Sequence, residues 1–353
     1  MKAFSITMIA ALAMAAAASV SAQTVRCDRA CLAKIADTYL AAMAAHDTKK
    51  APMSAMARFT EQAKVLPVGD GLWKTMTEGP TTFKILVPDP AAGQIGGIVM
   101  IKSEGKPTEL AFRLKVQNGQ ITEAEHLMAT ITAESQLANL TTPRPGLLAP
   151  VPPSDRLPRE ILLLFAHGYY DALEQSDGHA VPFAEDCVRR ENGMQTAGPR
   201  PAGATATPGR GASAPAAPSP AGGRAAGAPA PPGRGGAGGG LPGATGPAQL
   251  CGPQLDTRTM SYIDSLDLRR VMIADPENGL VFGLSMFRHA MTNKTITIVN
   301  PDGTKGQREM NFNPFDLEAA HIIKVQGNKI HDIEAMGFML PLYSKNGWSD
   351  FVR

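Results

Sequence analysis

Apolar residues recur at helical spacing twice along the chain. Leu32, Ile35, Tyr39, Leu40 and Met43 form one stripe, and Ile161, Leu164, Phe165 and Tyr169 form the other. Each stripe predicts an amphipathic helix. Strands follow each helix, notably the near-continuous apolar runs GQIGGIVMIKS and GLVFGLSMFRH. Both halves then end in a predicted hairpin, turning tightly at Gln117-Asn118-Gly119-Gln120 and at Gln326-Gly327-Asn328-Lys329. A helix followed by a run of antiparallel strands predicts an α+β unit with a curved sheet around the helical part.

The pattern is a repeat. Tyr39, Asp47, Pro52 and Glu61 fall on Tyr169, Asp177, Pro182 and Glu191 at an offset of 130. Asp89-Pro90 and Gly93 fall on Asp275-Pro276 and Gly279 at an offset of 186. Residues 109–125 then fall on residues 318–334 at an offset of 209, with 7 of 17 positions identical. Self-similarity of this kind predicts two diverged copies of one unit. The first jump in offset places 56 extra residues in the second copy, where 33 of the 40 residues from Pro201 to Gly240 are Gly, Pro or Ala. Such a tract cannot pack a core. The second jump adds 23 residues around TITIVNPDGTKG, which reads as an extra hairpin. The expected organisation is therefore a signal peptide at 1–22, copy 1 at 23–139, a Pro-rich linker at 140–157, and copy 2 at 158–353. Copy 2 carries the insertion at 197–250 and the extra hairpin near 290–313.

Composition narrows the function. Lys2, the apolar run Met8–Ala18 and the small residues Val20-Ser21-Ala22 read as a secretory signal cleaved near Ala22, so a secreted or periplasmic product is expected. No later stretch has the apolar length of a transmembrane helix. A formal charge of +2 with dispersed arginines argues against a nucleic-acid binder. Four cysteines in an exported chain favour disulfides over thiol chemistry. Of the three connectivities, spacing favours Cys27 with Cys31 and Cys187 with Cys251, which bracket the insertion. No metal site is expected, because Cys-x-x-Cys and His-x-x-x-His spacings are absent. Gly-Leu-Ser285-Met lacks the second glycine of a nucleophile elbow, and no Gly-rich phosphate loop precedes a helix.

The first helix ending in Ala45-His46-Asp47 or Gln175-Ser176-Asp177, the Ala-Arg-Phe-Thr-Glu segment, and the paired FRLKV and ITEAE strands together resemble the SnoaL-like branch of the nuclear transport factor 2-like superfamily. The tandem arrangement starting with CDRACL is similar to an uncharacterised secreted group of that branch. The resemblance covers most of residues 27 to 130 and 158 to 345. It implies two cone-shaped curved antiparallel sheets, each wrapped around N-terminal helices, with a hydrophobic pocket between. It also implies acid/base chemistry without a cofactor or, in many members, ligand binding or dimerisation alone. An intramolecular pseudo-dimer of the two copies is expected on the same ground.

If Asn118-Gly119 is a two-residue turn, Phe112 faces Glu125, and by the repeat His321 faces Glu334. Directly opposed residues touch, and a carboxylate beside an imidazole makes a general base. The first copy, with Phe112, is expected to lack this dyad. The alternative for His321 and Glu334 is a structural polar pair. Asp47 and Asp177 at the helix ends are candidates to line the pocket, or simply turn formers. Tyr169 lies on the apolar stripe, where its hydroxyl needs a buried partner or a ligand. Glu125, Glu191, Arg288 and His289 are further ligand-binding candidates, and Trp73 is a candidate aromatic lid. The expected function is an exported lyase, isomerase or hydrolase acting on a small, partly apolar molecule. It would use His321, Glu334, Tyr169 and Asp177. The competing expectation is a non-catalytic ligand-binding or scaffold protein of the cell envelope.

Overall fold

The computed structural model describes residues 27–199, 249–300 and 302–348. The expected signal segment, nearly all of the Gly/Pro/Ala-rich insertion and the last five residues lie outside these. The first unit opens with α1 (Arg29–Ala44), whose buried face is the predicted stripe of Leu32, Ile35, Tyr39, Leu40 and Met43. Asp28 caps it by accepting the Cys31 amide at 2.8 Å. Then come β1 (Met53–Glu61), β2 (Lys64–Leu66), α2 (Leu72–Thr75), β3 (Met76–Glu78), β4 (Lys84–Asp89), β5 (Gln94–Ser103), β6 (Lys106–Gln117) and β7 (Gln120–Thr130). Two short helices, α3 (Glu134–Asn139) and α4 (Pro145–Leu148), lie in the connection. The second unit comprises α5 (Arg159–Gln175), β8 (Phe183–Glu191), β9 (Met194–Ala197), α6 (Cys251–Asp256), β10 (Ser265–Asp275) and β11 (Leu280–His289). The hairpin β12 (Thr295–Val299) and β13 (Lys305–Glu309) follows, and β14 (Phe315–Gln326) and β15 (Lys329–Leu340) close the unit. Disulfides join Cys27 to Cys31 and Cys187 to Cys251.

The two sheets share one strand order. The first runs β2-β1-β7-β6-β5-β3, with β4 also paired to β5; the second, read from its far edge, runs β9-β8-β15-β14-β11-β10. Neither sheet is wholly antiparallel, because β1 pairs with β7, and β8 with β15, in parallel. The expected α+β cone is corrected further by the balance of elements. Strands hold 45% of the described residues against 22% for helices, so this is a mainly β protein with curled sheets. Each unit has one long helix, and the others run only four to six residues. The physical reason is in the sequence: each half carries a single helical stripe, so no second helix has an apolar face with which to wrap a sheet.

Three cores result. One lies between α1 and its sheet, one between α5 and its sheet, and the third between the two sheets. The third explains why β5 and β11 are apolar throughout. In β5, Ile95, Val99 and Ile101 face α1, while Ile98 and Met100 face the other sheet, where they meet a core that includes Phe282 and Leu284 of β11. Gly96 permits this close approach: a Cβ there would stand 2.6 Å from Phe282 Cδ1.

Charges frame the same interface reciprocally. Arg29, at the start of α1, donates to Asp275 of the second unit at 3.0 and 2.5 Å, and Arg159, at the start of α5, donates to Asp89 of the first at 2.7 Å. Deeper in, Glu125 accepts from Arg113 at 3.0 Å and from both terminal nitrogens of Arg270. Glu318 stands 3.7 Å from Arg270. Burial first, and then the Glu125 charge, pushes the Glu318 carboxyl up to about 8. Trp348, beyond β15, crosses to the first unit. It takes Arg113 and Arg58 over its ring at 4.7 and 4.8 Å and donates to Thr60 at 2.9 Å.

Two predictions follow from this packing. Gly96→Ala should destabilise the protein by about 1–3 kcal/mol in chemical unfolding, the range for overpacked cores. Phe282→Ala should make that added methyl nearly neutral, and additive losses in the double mutant would contradict the contact. The second concerns pH. Glu318 is raised above its unfolded value, so its contribution is present in acid and is lost as pH rises through about 8. The unfolding free energy of Glu318→Gln should match that of the native chain below about pH 4 and exceed it by on the order of 4 kcal/mol at pH 9.

Candidate functional site

Inside the second unit, between α5 and the inner face of its sheet, lies a cavity of about 40 Å³. Tyr169 and Leu173 from α5, Glu191 from β8, Phe287 from β11, and Ala319 and His321 from β14 contribute to its wall. Met260, Met336 and Met339 line it as well, and Met339 is itself half exposed. The volume holds a few waters at most. Methionine walls are adaptable, however, because a thioether side chain has no branching and many rotamers.

His321 is 3% exposed. Its Nδ1 lies 3.2 Å from the Tyr170 hydroxyl, and its Nε2 has no hydrogen bond among the described residues. Gly283 makes room for Tyr170, because a Cβ there would stand 2.8 Å from the phenolic oxygen. Burial, and next the Arg189 charge, lowers the imidazole to about 3. Burial likewise raises the Tyr169 hydroxyl to about 12, against the opposing pull of the nearby Arg189 charge. Arg189 is itself held by Glu191 at 3.1 Å, Thr196 at 2.9 Å and Gln254 at 2.5 Å. At neutral pH the wall therefore presents a neutral imidazole, a protonated phenol and a compensated ion pair. That set can offer hydrogen bonds to a guest, and an imidazole lowered so far is a poor general base, since efficient proton transfer needs a pKa near the working pH.

The expected dyad of His321 and Glu334 does not form. His321 pairs across the strands with Ala335, and Glu334 pairs with Ile322 on the opposite face. A bulge at His331 shifts the register by one residue after Val325–Ile330, and a one-residue slip moves a side chain to the other face of the sheet. Glu334 is instead buried between the sheets, where Arg144 donates to it at 2.8 Å and to Asp332 at 2.6 Å. Burial raises its carboxyl to about 7 in spite of that arginine.

The same bulge in the first unit pairs Phe112 with His126 and Arg113 with Glu125. Glu125 therefore belongs to the interface and not to a pocket. The first unit does contain a histidine–glutamate pair, contrary to expectation. His126 Nε2 lies 3.0 Å from the Tyr39 hydroxyl and its Nδ1 lies 3.3 Å from Glu61, whose carboxylate also accepts the Leu72 amide at 2.9 Å. Around this chain Trp73 stands edge-on to Tyr39, with ring centroids 5.3 Å apart. Trp73 is thus a buried core side chain, not a lid at a pocket mouth.

Asp47 and Asp177 are turn residues. Each caps the amide two residues on, Lys49 at 3.0 Å and His179 at 2.8 Å, and neither faces the cavity. Arg288 sits away from the cavity, donating to Asp267 at 3.1 Å and Asp316 at 2.5 Å. His289 is stacked on Phe315 at 4.1 Å and is lowered to about 4 by burial. Of the candidates, the structure brings together only Tyr169, His321 and Glu191. The residues missed were Arg189, the pairing of Tyr39 with His126, and Arg144. The readable signal was the spacing of three between the inward-facing Ile121 and Ala124, and between Ile330 and Ile333, which breaks the period of two and marks a bulge. Among the described residues no cluster of three or more His, Cys, Asp or Glu could hold a metal ion, and no helix is long and apolar enough to cross a membrane.

The chain belongs to the family described as a domain of unknown function, DUF8021, which matches residues 155–337, just over half its length. The matched span runs from before α5 into β15 and so carries Tyr169, Glu191 and His321. No curated protein and no solved structure matches the chain.

The lowered imidazole gives a pH prediction. The unfolded chain protonates this histidine near pH 6.5, the folded one near 3, so its contribution to stability is full above about 6.5 and is lost as pH falls through about 3. His321→Phe, which copies the residue at Phe112, should remove on the order of 3 kcal/mol of this acid loss at pH 3. Unfolding measured from pH 7 to pH 3 checks it, and an unchanged acid slope would rule out a neutral buried His321.

Proposed function

We propose that this is an exported small-molecule-binding protein made of two SnoaL-like units that arose by tandem duplication and pack as an intramolecular pseudo-dimer. The second unit would bind a compact, largely apolar compound bearing one hydrogen-bonding group. The observation that carries this reading is a neutral polar wall, His321 Nε2 and the Tyr169 hydroxyl, inside an apolar cavity lined by three methionines. A ligand larger than the 40 Å³ void would enter by displacing methionine side chains. Duplication is supported by the shared strand order and the matching offsets, and the pseudo-dimer by the reciprocal Arg29–Asp275 and Arg159–Asp89 pairs. Export is supported by two disulfides, which persist in oxidising compartments. The acid/base reading has lost its dyad, so binding is the reading the site favours.

Thermal unfolding with a panel of small aromatic and alicyclic ketones and alcohols tests this. A binder at a hundred times its Kd should stabilise the native chain by about 2.7 kcal/mol. The same compound should leave His321→Phe unchanged. No stabilising compound, or an equal shift in both proteins, would defeat the proposal.

A further inference from the structure

A second concavity lies on the outside of the second unit, at the edge strand β10. It is an open groove of about 430 Å³, bordered by Asp264, Asp267 and Leu268 of the β10 region, Arg288 of β11, and Tyr343 with Lys345 beyond β15. Three features distinguish it from ordinary surface. Tyr343 is 77% exposed, so a large aromatic ring stands in solvent with little packing in return. Tyr343 and Leu268 both have left-handed backbone, with φ of 64° and 50°; for bulky side chains this is rare and costs energy, and such outliers cluster where a ligand is met. The polar floor is also fixed in place. Arg288 Nε donates to Asp267 at 3.1 Å, and Nη1 donates to the buried Asp316 at 2.5 Å and to the Ser344 carbonyl at 2.9 Å. Nη2 has no hydrogen bond among the described residues, and Asp267 keeps its second carboxylate oxygen, Oδ1, without one.

We infer that this groove is a binding site for a neutral saccharide, stacked on Tyr343 and held through a vicinal diol by Asp267 and Arg288. The chemistry matches on three counts. A free guanidinium nitrogen and a free carboxylate oxygen, locked side by side by their own ion pair, offer one donor and one acceptor. Adjacent sugar hydroxyls present the complementary pair, since each hydroxyl both donates and accepts. The exposed phenol ring supplies the flat apolar surface that the C–H face of a pyranose covers, and fixing both polar groups in advance lowers the ordering cost of binding. Arg288 is already compensated by Asp267 and Asp316, and Lys345 on the border is matched by Asp264, so the groove holds no surplus positive charge to select an acidic sugar. The site is separate from the inner cavity, because none of its bordering residues lines that cavity.

The test is a glycan array probed with the mature full-length chain, followed by calorimetric titration of the best-bound neutral saccharide into variants. Tyr343→Ala should lower the affinity at least tenfold with an unchanged melting temperature, as expected for so exposed a side chain. Tyr343→Phe should retain binding, and Asp267→Asn should weaken it. His321→Phe should bind the saccharide as well as the native chain does. The inference is overturned if no neutral glycan binds above background, if binding is confined to acidic glycans, if Tyr343→Ala binds unchanged, or if His321→Phe abolishes binding.

Discussion

One extra residue in the closing hairpin of each unit decides which side chains can meet. Thr122 and His331 are bulged out of ladders that are otherwise regular from Val116–Ile121 and Val325–Ile330 onward. Because strand side chains alternate, each bulge turns the remainder of its strand over. Glutamates at positions 125 and 334 are thereby sent between the sheets, while His126 and Ala335 are brought under the helices. A straight ladder would have placed a carboxylate beside His321 and left the interface arginines without their partners. The cavity wall and the interface electrostatics thus depend on the same local irregularity.

With that register set, the two units differ at one rung. The first unit places Phe112 opposite His126, and the second places His321 opposite Ala335. The histidine has changed strands and the aromatic ring has gone. Trp73 fills further space in the first unit, packed on Tyr39. The second unit is left with a void whose cost, at roughly 24 cal/mol per Å³, is only about 1 kcal/mol. So modest a penalty is easily tolerated, and the second interior keeps its void.

Much of this was legible in the sequence. The helical stripes located both long helices, and that of α1 is its buried face; α5 instead buries Leu162, Ala166, Tyr169, Tyr170 and Leu173 and leaves the predicted Ile161 and Leu164 exposed. The Asn-Gly and Gly-Asn pairs located the turns, with Asn118 and Asn328 indeed left-handed, and cysteine spacing favoured the pairing observed. The helical content was overestimated, because the resemblance supplied helices for which the chain has no apolar stripe. The register was misread because apolar residues lie on both faces of these strands. When both faces are buried, alternation no longer reports orientation, and only the spacing of three at Ile330 and Ile333 betrays the bulge. Arg144 and Trp348 could not have been assigned at all. Their partners lie 188 and 288 residues away, at Asp332 and Thr60, and no local pattern encodes such a contact.

The interface explains why a filled unit accompanies a hollow one. Glu125 belongs to the first unit and its closest compensating charge, Arg270, to the second; Arg29 and Asp275, and Arg159 and Asp89, divide in the same way. Separating the units would strand Glu125 and Asp89, both deeply buried, without those partners, and removing one partner of such a pair costs about 3–5 kcal/mol. The apolar core between the sheets would be exposed at the same time. The first unit, with its interior packed by Trp73, Phe112 and the Tyr39–His126–Glu61 chain, therefore acts as a rigid backing for the second. The outer face of the hollow sheet is packed against it, so the inner face can keep a cavity without the sheet collapsing to close it.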